Sequence, residues 1–572
     1  MRLAEVRAPS AKRADPTGGQ PADLEIGDTA GLETCGTGPA GVRRSAETPL
    51  RRFEIAGWTL LLLLLLAVRL PAATPYESLV APTPQNKIDE LVLARLKVLH
   101  LAPAHPCSDA VFLRRVTLDA TGTLPSAAEA QQFILDRNPA KRGALIDRLL
   151  ASDEFAEYLA LKWSDALRIK AEFPINLWPN AAQTYHHWVY DGIRTNRPCD
   201  QFARELLTAS GSDFENPPVN FYRAMQNRTP AGIAQTVALT LLGERAEHWP
   251  SNQLANLAVF FANVGRKATA EWKEEIIYFN PASTNAGALN GAAVRAVLPD
   301  GSRVKLTPDQ DPRVVFADWL VKDPQFARSL VNRTWAWFFG CGIVQEPDDF
   351  RADNPPANPE LLAWLAKDFA ASGYDFKRLC RMILNSQTYQ FAPLPADANP
   401  AAAANFAYYP LRRLDAEVLI DAIDQLTGSS EKYVSEIPEP FTYIPDNLRS
   451  IALPDGSITS SFLEMFGRPP RDTGLESERN NRISAPQKLT LLNSSLMQRK
   501  LEQSRMIEFQ SSAGRLPDDI VTGMYLGILS RFPTAAETKT AEEYLKSGIG
   551  RRQGTVDLAW ALMNSSEFLY RH

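Results

Sequence analysis

The chain has 572 residues, 45% apolar and 22% charged, and its 61 basic and 66 acidic side chains leave a net charge of −5. These are ordinary globular values, so a wholly disordered or fibrous chain is excluded, as is the bulk basic footprint of a nucleic-acid binder. Five Cys and six His are too few for a disulfide-built scaffold and limit His-rich metal or haem chemistry, while 42 Pro place the chain above the usual content of about 5%.

Residues 1–50 carry seven Gly and five Pro, with six basic and seven acidic side chains and no apolar periodicity. Such a segment cannot bury enough apolar surface to offset its ordering entropy. It is expected to be disordered, or to lie ahead of a true start near Val42. Arg51-Arg52 then precede Ile55–Val68, fourteen residues without a charge that include the run Leu60–Leu66. This is shorter than the ~18–20 residues that span a bilayer, and with Ala72-Ala73 behind it the 51–73 segment reads as a secretory signal. Pro71 makes a poor cleavage site after Ala73, so the alternative is an uncleaved anchor attached through residues 55–70. Arg43, Arg44, Arg51 and Arg52 then place the rest of the chain outside the cytoplasm.

Beyond residue 84 the pattern is helical. Ile88, Leu91, Val92, Arg95, Leu96 and Leu99 share one helix face. Ser126 with Glu129, and Thr534 with Glu537, are capping boxes, and Asn358-Pro359 starts a helix with Pro at its first position. Each start leads about 30 residues on to a similar ending: Leu149-Leu150-Ala151-Ser152 to Phe155, Ile383-Leu384-Asn385-Ser386 to Tyr389, and Leu562-Met563-Asn564-Ser565 to Phe568. These predict three helix-pair modules in which the Ser caps a turn and the aromatic packs back on the pair. Between the helical halves, Ile276–Phe279 is a strand candidate. Val294–Leu298 and Ser302–Leu306 read as a hairpin closed by Asp300-Gly301. The expected fold is mainly α, with two helical domains (84–265 and 309–572) built from helix-pair modules around a β-rich connector (266–308).

Long motifs carry a family resemblance over roughly residues 85–572. Leu113–Asp119 with Gly122, Leu149–Ser152, Lys162–Arg168 and Trp188–Asp191 resemble the PSCyt-type domain of unknown function (fifteen-forty-nine) of planctomycete-type bacteria. The second half is similar to its usual partner, the PSD-type domain (fifteen-fifty-three). The matching stretches are Asp311–Arg313, Ala317–Leu320, Asn332–Trp335, Phe339–Val344, Pro347–Arg351, Asn354–Pro356, Arg412–Glu417, Phe466–Arg471 and Trp560–Asn564. Many relatives of the first domain carry a Cys-x-x-Cys-His stretch, a covalent haem motif. Here the corresponding segment is Leu242–Trp249, with His248 alone, and no Cys-x-x-Cys occurs in the chain. The resemblance would have suggested a haem-linked carrier for some relatives; this chain is expected to hold no covalent c-type haem and no other cofactor. The Cys found in relatives after the Arg-Pro-Pro-Arg stretch are also missing from Asp472–Arg479.

Two clusters could carry chemistry. Asp348, Asp349 and Arg351 lie with Asn354 in a loop that Pro355-Pro356 keeps from being helix interior. Paired carboxylates there suit acid/base work on a glycoside or the holding of a hard cation; alternatively, Asp349 caps or pairs locally with Arg351 or Arg333 and pins the loop. The second cluster is Arg468, Arg471, Glu476, Glu478 and Arg479. Two Arg in a Pro-Pro turn could hold a carboxylate or sulfate, or join segments in an internal ion-pair network; Glu476 and Glu478 would share a side if that segment is extended. The candidates are thus Asp348, Asp349, Glu476 and Glu478 for catalysis and Arg333, Arg351, Asn354, Arg468, Arg471 and Arg479 for binding, with no metal site. Trp163, Trp188, Trp319, Trp335, Trp337 and Trp364 sit in helical patterns that fit core packing better than sugar stacking. Cys341 and Cys380 could form a bridge or remain free thiols. No Gly-x-Ser-x-Gly and no phosphate-cradling glycine loop is present. The expectation is an exported binding or assembly protein, periplasmic or on the cell surface, linked to polysaccharide or to a surface-protein partner and not to nucleic acid. The alternative is a glycan-directed hydrolase or lyase that uses the two clusters.

Overall fold

Side-chain caps set the helix starts in the computed structural model, which describes residues 74–572. The segment read as a signal or anchor lies outside the described residues. Ser126 and Thr534 form the predicted capping boxes with Glu129 and Glu537, and Asn358 caps the helix Pro359–Ala371 with Pro in its first turn. Each start opens a helix pair: Ala127–Leu135 with Lys141–Ala151, Pro359–Ala371 with Phe376–Leu384, and Ala535–Leu545 with Arg551–Met563. At the end of each pair a Ser hydroxyl accepts the N–H three residues on: Ser152 from Phe155 at 3.3 Å, Ser386 from Tyr389 at 3.1 Å, Ser565 from Phe568 at 3.2 Å. All three aromatics are fully buried, but their ring and cation contacts lie beyond their own pairs: Phe155 on Phe376, Tyr389 on Phe338, Phe339 and Tyr409, and Phe568 beside Arg114. The Ser cap is therefore what the three endings share.

Helix makes up 52% of the structure and strand 6%, so the fold is mainly α with small sheets. Glu275–Phe279 pairs antiparallel with Val264–Ala268 on one side and Gly211–Ser212 on the other. Val294–Val297 and Arg303–Leu306 form the expected hairpin, with Val294 opposite Leu306 and Gly301 at φ +83° in the turn. A short third pair joins Arg412–Arg413 to Tyr570–Arg571.

The helices of the two halves pack on one another. Pro312–Leu320 lies on Cys199–Thr208, Ala127–Leu135 on Pro517–Leu529, Phe376–Leu384 on Lys141–Ala151, and Pro359–Ala371 on Lys87–Val98. One continuous apolar core runs from Ile88 to Phe568, and the described residues form one compact unit. Among the described residues no helix is long and apolar enough to cross a membrane.

One glycine lets the chain turn inside this packing. Gly467 has φ +92°, and a Cβ there would sit 1.9 Å from the carbonyl oxygen of Asn480. Gly373 also has positive φ, +72°, but faces open space. Gly373→Ala should cost only the left-handed backbone term, about 1–2 kcal/mol. Gly467→Ala meets main chain as well and is expected to cost more. Urea denaturation of the two variants side by side reads the difference.

A buried ionic seam and an exposed aromatic platform

The motif residues meet inside the molecule. Lys162, Asp165 and Arg168 come from the helix Asp153–Ala166 and the turn after it, Asp415 and Glu417 from the start of the helix Ala416–Thr427, and Arg468, Arg471 and Arg479 from the loops beyond it. Arg479 donates to Glu417 Oε2 at 2.7 Å and to Asp165 Oδ2 at 2.7 Å, so one guanidinium joins the two halves. Arg471 donates to the other oxygen of Asp165 at 2.9 Å. Asp415 accepts from Lys162 at 2.8 Å, Tyr158 at 2.9 Å, Asn481 at 2.7 Å and Arg571 at 3.2 Å. A neighbouring knot holds Asp119 against Arg412 at 2.6 Å and the hydroxyls of Tyr389 and Tyr409, each at 2.8 Å.

Burial works to raise the pKa of Asp415, but Lys162, Arg571 and Arg479 outweigh it and hold the carboxyl well below the usual range. Asp165 is lowered in the same way, with Arg479 and Arg471 overcoming its burial. Burial depresses Arg468 to about 10, and the neighbouring Arg471 adds to the shift.

The two candidate clusters converge. Asp348 is buried; one oxygen accepts from Arg245 at 2.7 Å and the other from the backbone N–H of Glu476 at 2.8 Å. Asp349 is buried and ion-paired locally with Arg351 at 3.1 Å, the loop-pinning arrangement. Asn354 completes that loop by donating to the Asp349 carbonyl at 2.9 Å. Residues 476–478 form a single 3-10 turn rather than an extended segment, so positions two apart diverge. Glu478 folds back to accept from Thr473 N–H at 2.7 Å, whereas burial raises the Glu476 carboxyl against the opposing pull of Arg333 and Lys162. Arg333 is buried and donates to the Leu239 carbonyl at 3.2 Å. Arg468 donates to the carbonyls of Ile458 and Asp455, and Arg471 to that of Ile169 at 3.2 Å. Of the ten candidates, the seam therefore takes up Arg468, Arg471 and Arg479, while Asp348 ties Glu476 to the loop of Asp349, Arg351 and Asn354.

These bonds fix a second feature that the helical patterning did not mark. Ile169, Ala171 and Glu172 lie in the loop leading to Trp178. Ala171 N–H donates to Asp455 at 2.8 Å, Glu172 N–H to Ser457 at 2.9 Å, and Gly456 N–H to Ile169 at 2.9 Å. Arg223 is buried and paired with Asp213 at 2.7 Å. It donates to the carbonyls of both Leu177 (3.0 Å) and Lys273 (3.1 Å), which clamps two loops together. Glu172 accepts from Glu436 N–H at 3.0 Å and so ties down a third loop. The three loops present Trp178, Trp272 and Phe441 in one cluster, with ring centroids 4.4 Å, 5.4 Å and 5.9 Å apart. Trp272 is 61% exposed and Phe441 46%, and Phe173 and Tyr443, on the same loops, are 79% and 68% exposed. Lys273 Nζ stands 5.6 Å from both indole centroids. The helix-pattern Trp behave as expected: Trp163, Trp335 and Trp337 are buried, and Trp188, Trp319 and Trp364 pack on the core.

The remaining chemistry is sparse. Cys107, Cys199, Cys341 and Cys380 are free thiols, so Cys341 and Cys380 are not bridged. Burial pushes Cys199 up to about 12 and Cys341 to about 11, which leaves them protonated and unreactive. His248 is exposed on the turn Ala246–His248, and its segment offers no thiol for a thioether bond, so the residues do not fit a covalent haem. Among the described residues no group of three His, Cys, Asp or Glu is placed to hold a metal ion.

Comparison with known families gives two matches. The family described as PSCyt2, a protein of unknown function (DUF1549), matches residues 87–249, and PSD1, a protein of unknown function (DUF1553), matches residues 312–545. No curated protein and no solved structure matches the chain.

Removing the charge at Asp415 should strand Lys162 and Arg571 in the interior, at about 3–5 kcal/mol. Because the folded pKa of Asp415 lies below its unfolded value of about 3.9, its contribution is complete above that value and is lost as pH falls through the folded one. Urea midpoints taken between pH 3 and 7 should therefore drop below pH 4 for the parent chain. Asp415→Asn should start lower and drop less.

Proposed function

In a chain whose PSCyt2 domain is followed by a PSD1 domain, we propose a binding or assembly role outside the cytoplasm, exercised on polysaccharide through the platform of Trp178, Trp272 and Phe441. The observation that carries this reading is the exposure of Trp272 and Phe441, packed on the half-buried Trp178, on three loops that are each held from beneath. Large exposed apolar patches on a folded protein mark interaction sites. The axial C–H groups of a pyranose ring pack against the electron-rich face of an aromatic ring, and neighbouring rings accept successive sugar units. Lys273 beside the indoles adds a donor for hydroxyl or acidic substituents. The Arg-flanked apolar segment 51–73 supports export, and the platform's partner is then an extracytoplasmic polymer or a surface protein bearing one.

The alternative is a glycan hydrolase or lyase. Its support is Glu476, a carboxyl raised by burial and adjacent to Asp348. A pair of catalytic carboxylates must flank the scissile bond with at least one oxygen free. Asp348 is buried and ion-paired with Arg245, and Asp349 with Arg351, so neither carboxylate stands as a free acid or base beside Glu476, and the binding reading fits the geometry better.

Affinity electrophoresis on a panel of soluble polysaccharides separates the two. Retardation of the parent chain by at least one glycan is expected, with Trp272→Ala and Phe441→Ala each weakening it about tenfold, the ~1.4 kcal/mol of a typical hot-spot aromatic. Glu476→Gln should leave retardation unchanged, and no reducing ends should appear. Release of reducing ends that Glu476→Gln abolishes would establish the hydrolase or lyase instead.

A further inference from the structure

A cavity of about 500 Å³ opens on the side of the helix Ala416–Thr427 that carries Asp421. Its size falls within the ~300–1,000 Å³ of small-ligand sites. The helix Asp109–Thr121 and the loops around residues 123–125, 429–430 and 447–449 complete it, so both halves of the chain contribute. Its walls alternate hydroxyl and amide groups with aliphatic ones: Thr123, Gln425, Ser429 and Asn447 against Leu149 and Leu448. That mixture suits a ring bearing hydroxyls on its rim and C–H groups on its faces.

The charges around the cavity are unevenly matched. Arg148 is taken by Glu129 at 2.9 Å, Arg449 by Glu157, and Asp424 by Lys500. Asp421 and Glu154 have no cationic side chain within 4.0 Å among the described residues. Asp421 is buried, and its two oxygens accept from Ser450 N–H at 2.7 Å and Ile451 N–H at 3.0 Å. A carboxylate has about four lone-pair positions, so acceptor capacity remains on each oxygen. Burial, incompletely offset by those two bonds, the Ser450 hydroxyl and the more distant Arg449, pushes the carboxyl up to about 7; a buried acid with no cation in contact is in the state that a bound cation would relieve. A neutral ligand would leave that deficit in place, and an anionic one would add to it.

We propose that this cavity binds a hydroxylated ligand carrying a primary ammonium, the chemistry of an amino-sugar unit, with the ammonium seated on Asp421 and the hydroxyls on the Thr, Ser, Gln and Asn side chains. The site shares no residue with the aromatic platform, so either can fail without the other.

Calorimetric titration of the whole exported chain tests it, with a glucosamine tetramer as probe and the fully N-acetylated tetramer as its uncharged counterpart. The free-amine tetramer should bind at least tenfold more tightly than the acetylated one. Asp421→Asn should remove that preference, and Trp272→Ala should keep it. Because Asp421 is buried, Glu154→Gln at the exposed rim is the second variant; it should weaken the free-amine tetramer severalfold with an unchanged melting temperature. Equal binding of the two tetramers, no binding of either, or full binding by Asp421→Asn would overturn the proposal. Tighter binding of spermidine than of the amino-sugar tetramer would overturn the assignment of a hydroxylated ligand.

Discussion

Arg479 is the constraint on which the rest of the structure depends. Its guanidinium closes on Asp165 from the first half of the chain and on Glu417 from the second, and burial lowers its pKa less than Glu417, Asp165 and Asp415 together raise it. Taking these ions out of water costs several kcal/mol per charge, and the mutual attraction offsets that cost only when every partner is present. Such a seam adds little net stability compared with an apolar interface of the same size. What it adds is registry: a shift of the helix Asp153–Ala166 by one turn against Ala416–Thr427 would take Lys162 from Asp415 and Asp165 from Arg471 and Arg479, leaving Lys162 and Asp165 as unpaired charges in the interior. The apolar core alone tolerates several packings; the ions tolerate one.

That registry reaches the surface through main-chain carbonyls. Arg471 holds Asp165 with one nitrogen and the Ile169 carbonyl with another, and Asp455, whose own carbonyl is held by Arg468, accepts the Ala171 N–H. The loop that leaves this point ends in Trp178 at φ +73°, a conformation that a bulky side chain adopts only when its surroundings impose it. Here the imposing groups are identifiable. Trp178 N–H donates to the Ala171 carbonyl, and Arg223 holds the Leu177 carbonyl from below.

Local devices were legible in the sequence, because capping boxes, Pro at helix starts and the Ser-to-aromatic endings act within a few residues of themselves. The Asp300-Gly301 hairpin was legible for the same reason. Both roles the structure gives the candidate clusters, loop pinning by Asp349 with Arg351 and an internal ion-pair network at Arg468, Arg471 and Arg479, stood among the alternatives readable from the residues, but choosing between them and a ligand site depends on partners 62 to 314 positions away, such as Glu417 and Asp165 for Arg479. The signal that could have pointed to them was the presence of Lys162, Asp165, Asp415 and Glu417 within otherwise apolar stretches, where an unpaired charge would be untenable. The platform escaped patterning because Trp178, Trp272 and Phe441 lie outside helices and come together only through Arg223 and Glu172.

A chain that places its motif charges in its interior leaves recognition to other groups. Asp165 and Asp415, held below the usual carboxylate range by their cations, can neither give nor take a proton near neutral pH, and Arg471 and Arg571 are buried out of a ligand's reach. The loops they support do have free surface, and because those loops are fixed by Arg223, Glu172 and Asp455 before any ligand arrives, binding there need not order them. Preorganisation of this kind removes a cost of roughly 0.5–1.5 kcal/mol for each side chain that would otherwise be immobilised. The buried ions and the exposed rings are therefore two ends of one device, in which charge inside the fold sets the geometry of aromatic surface outside it.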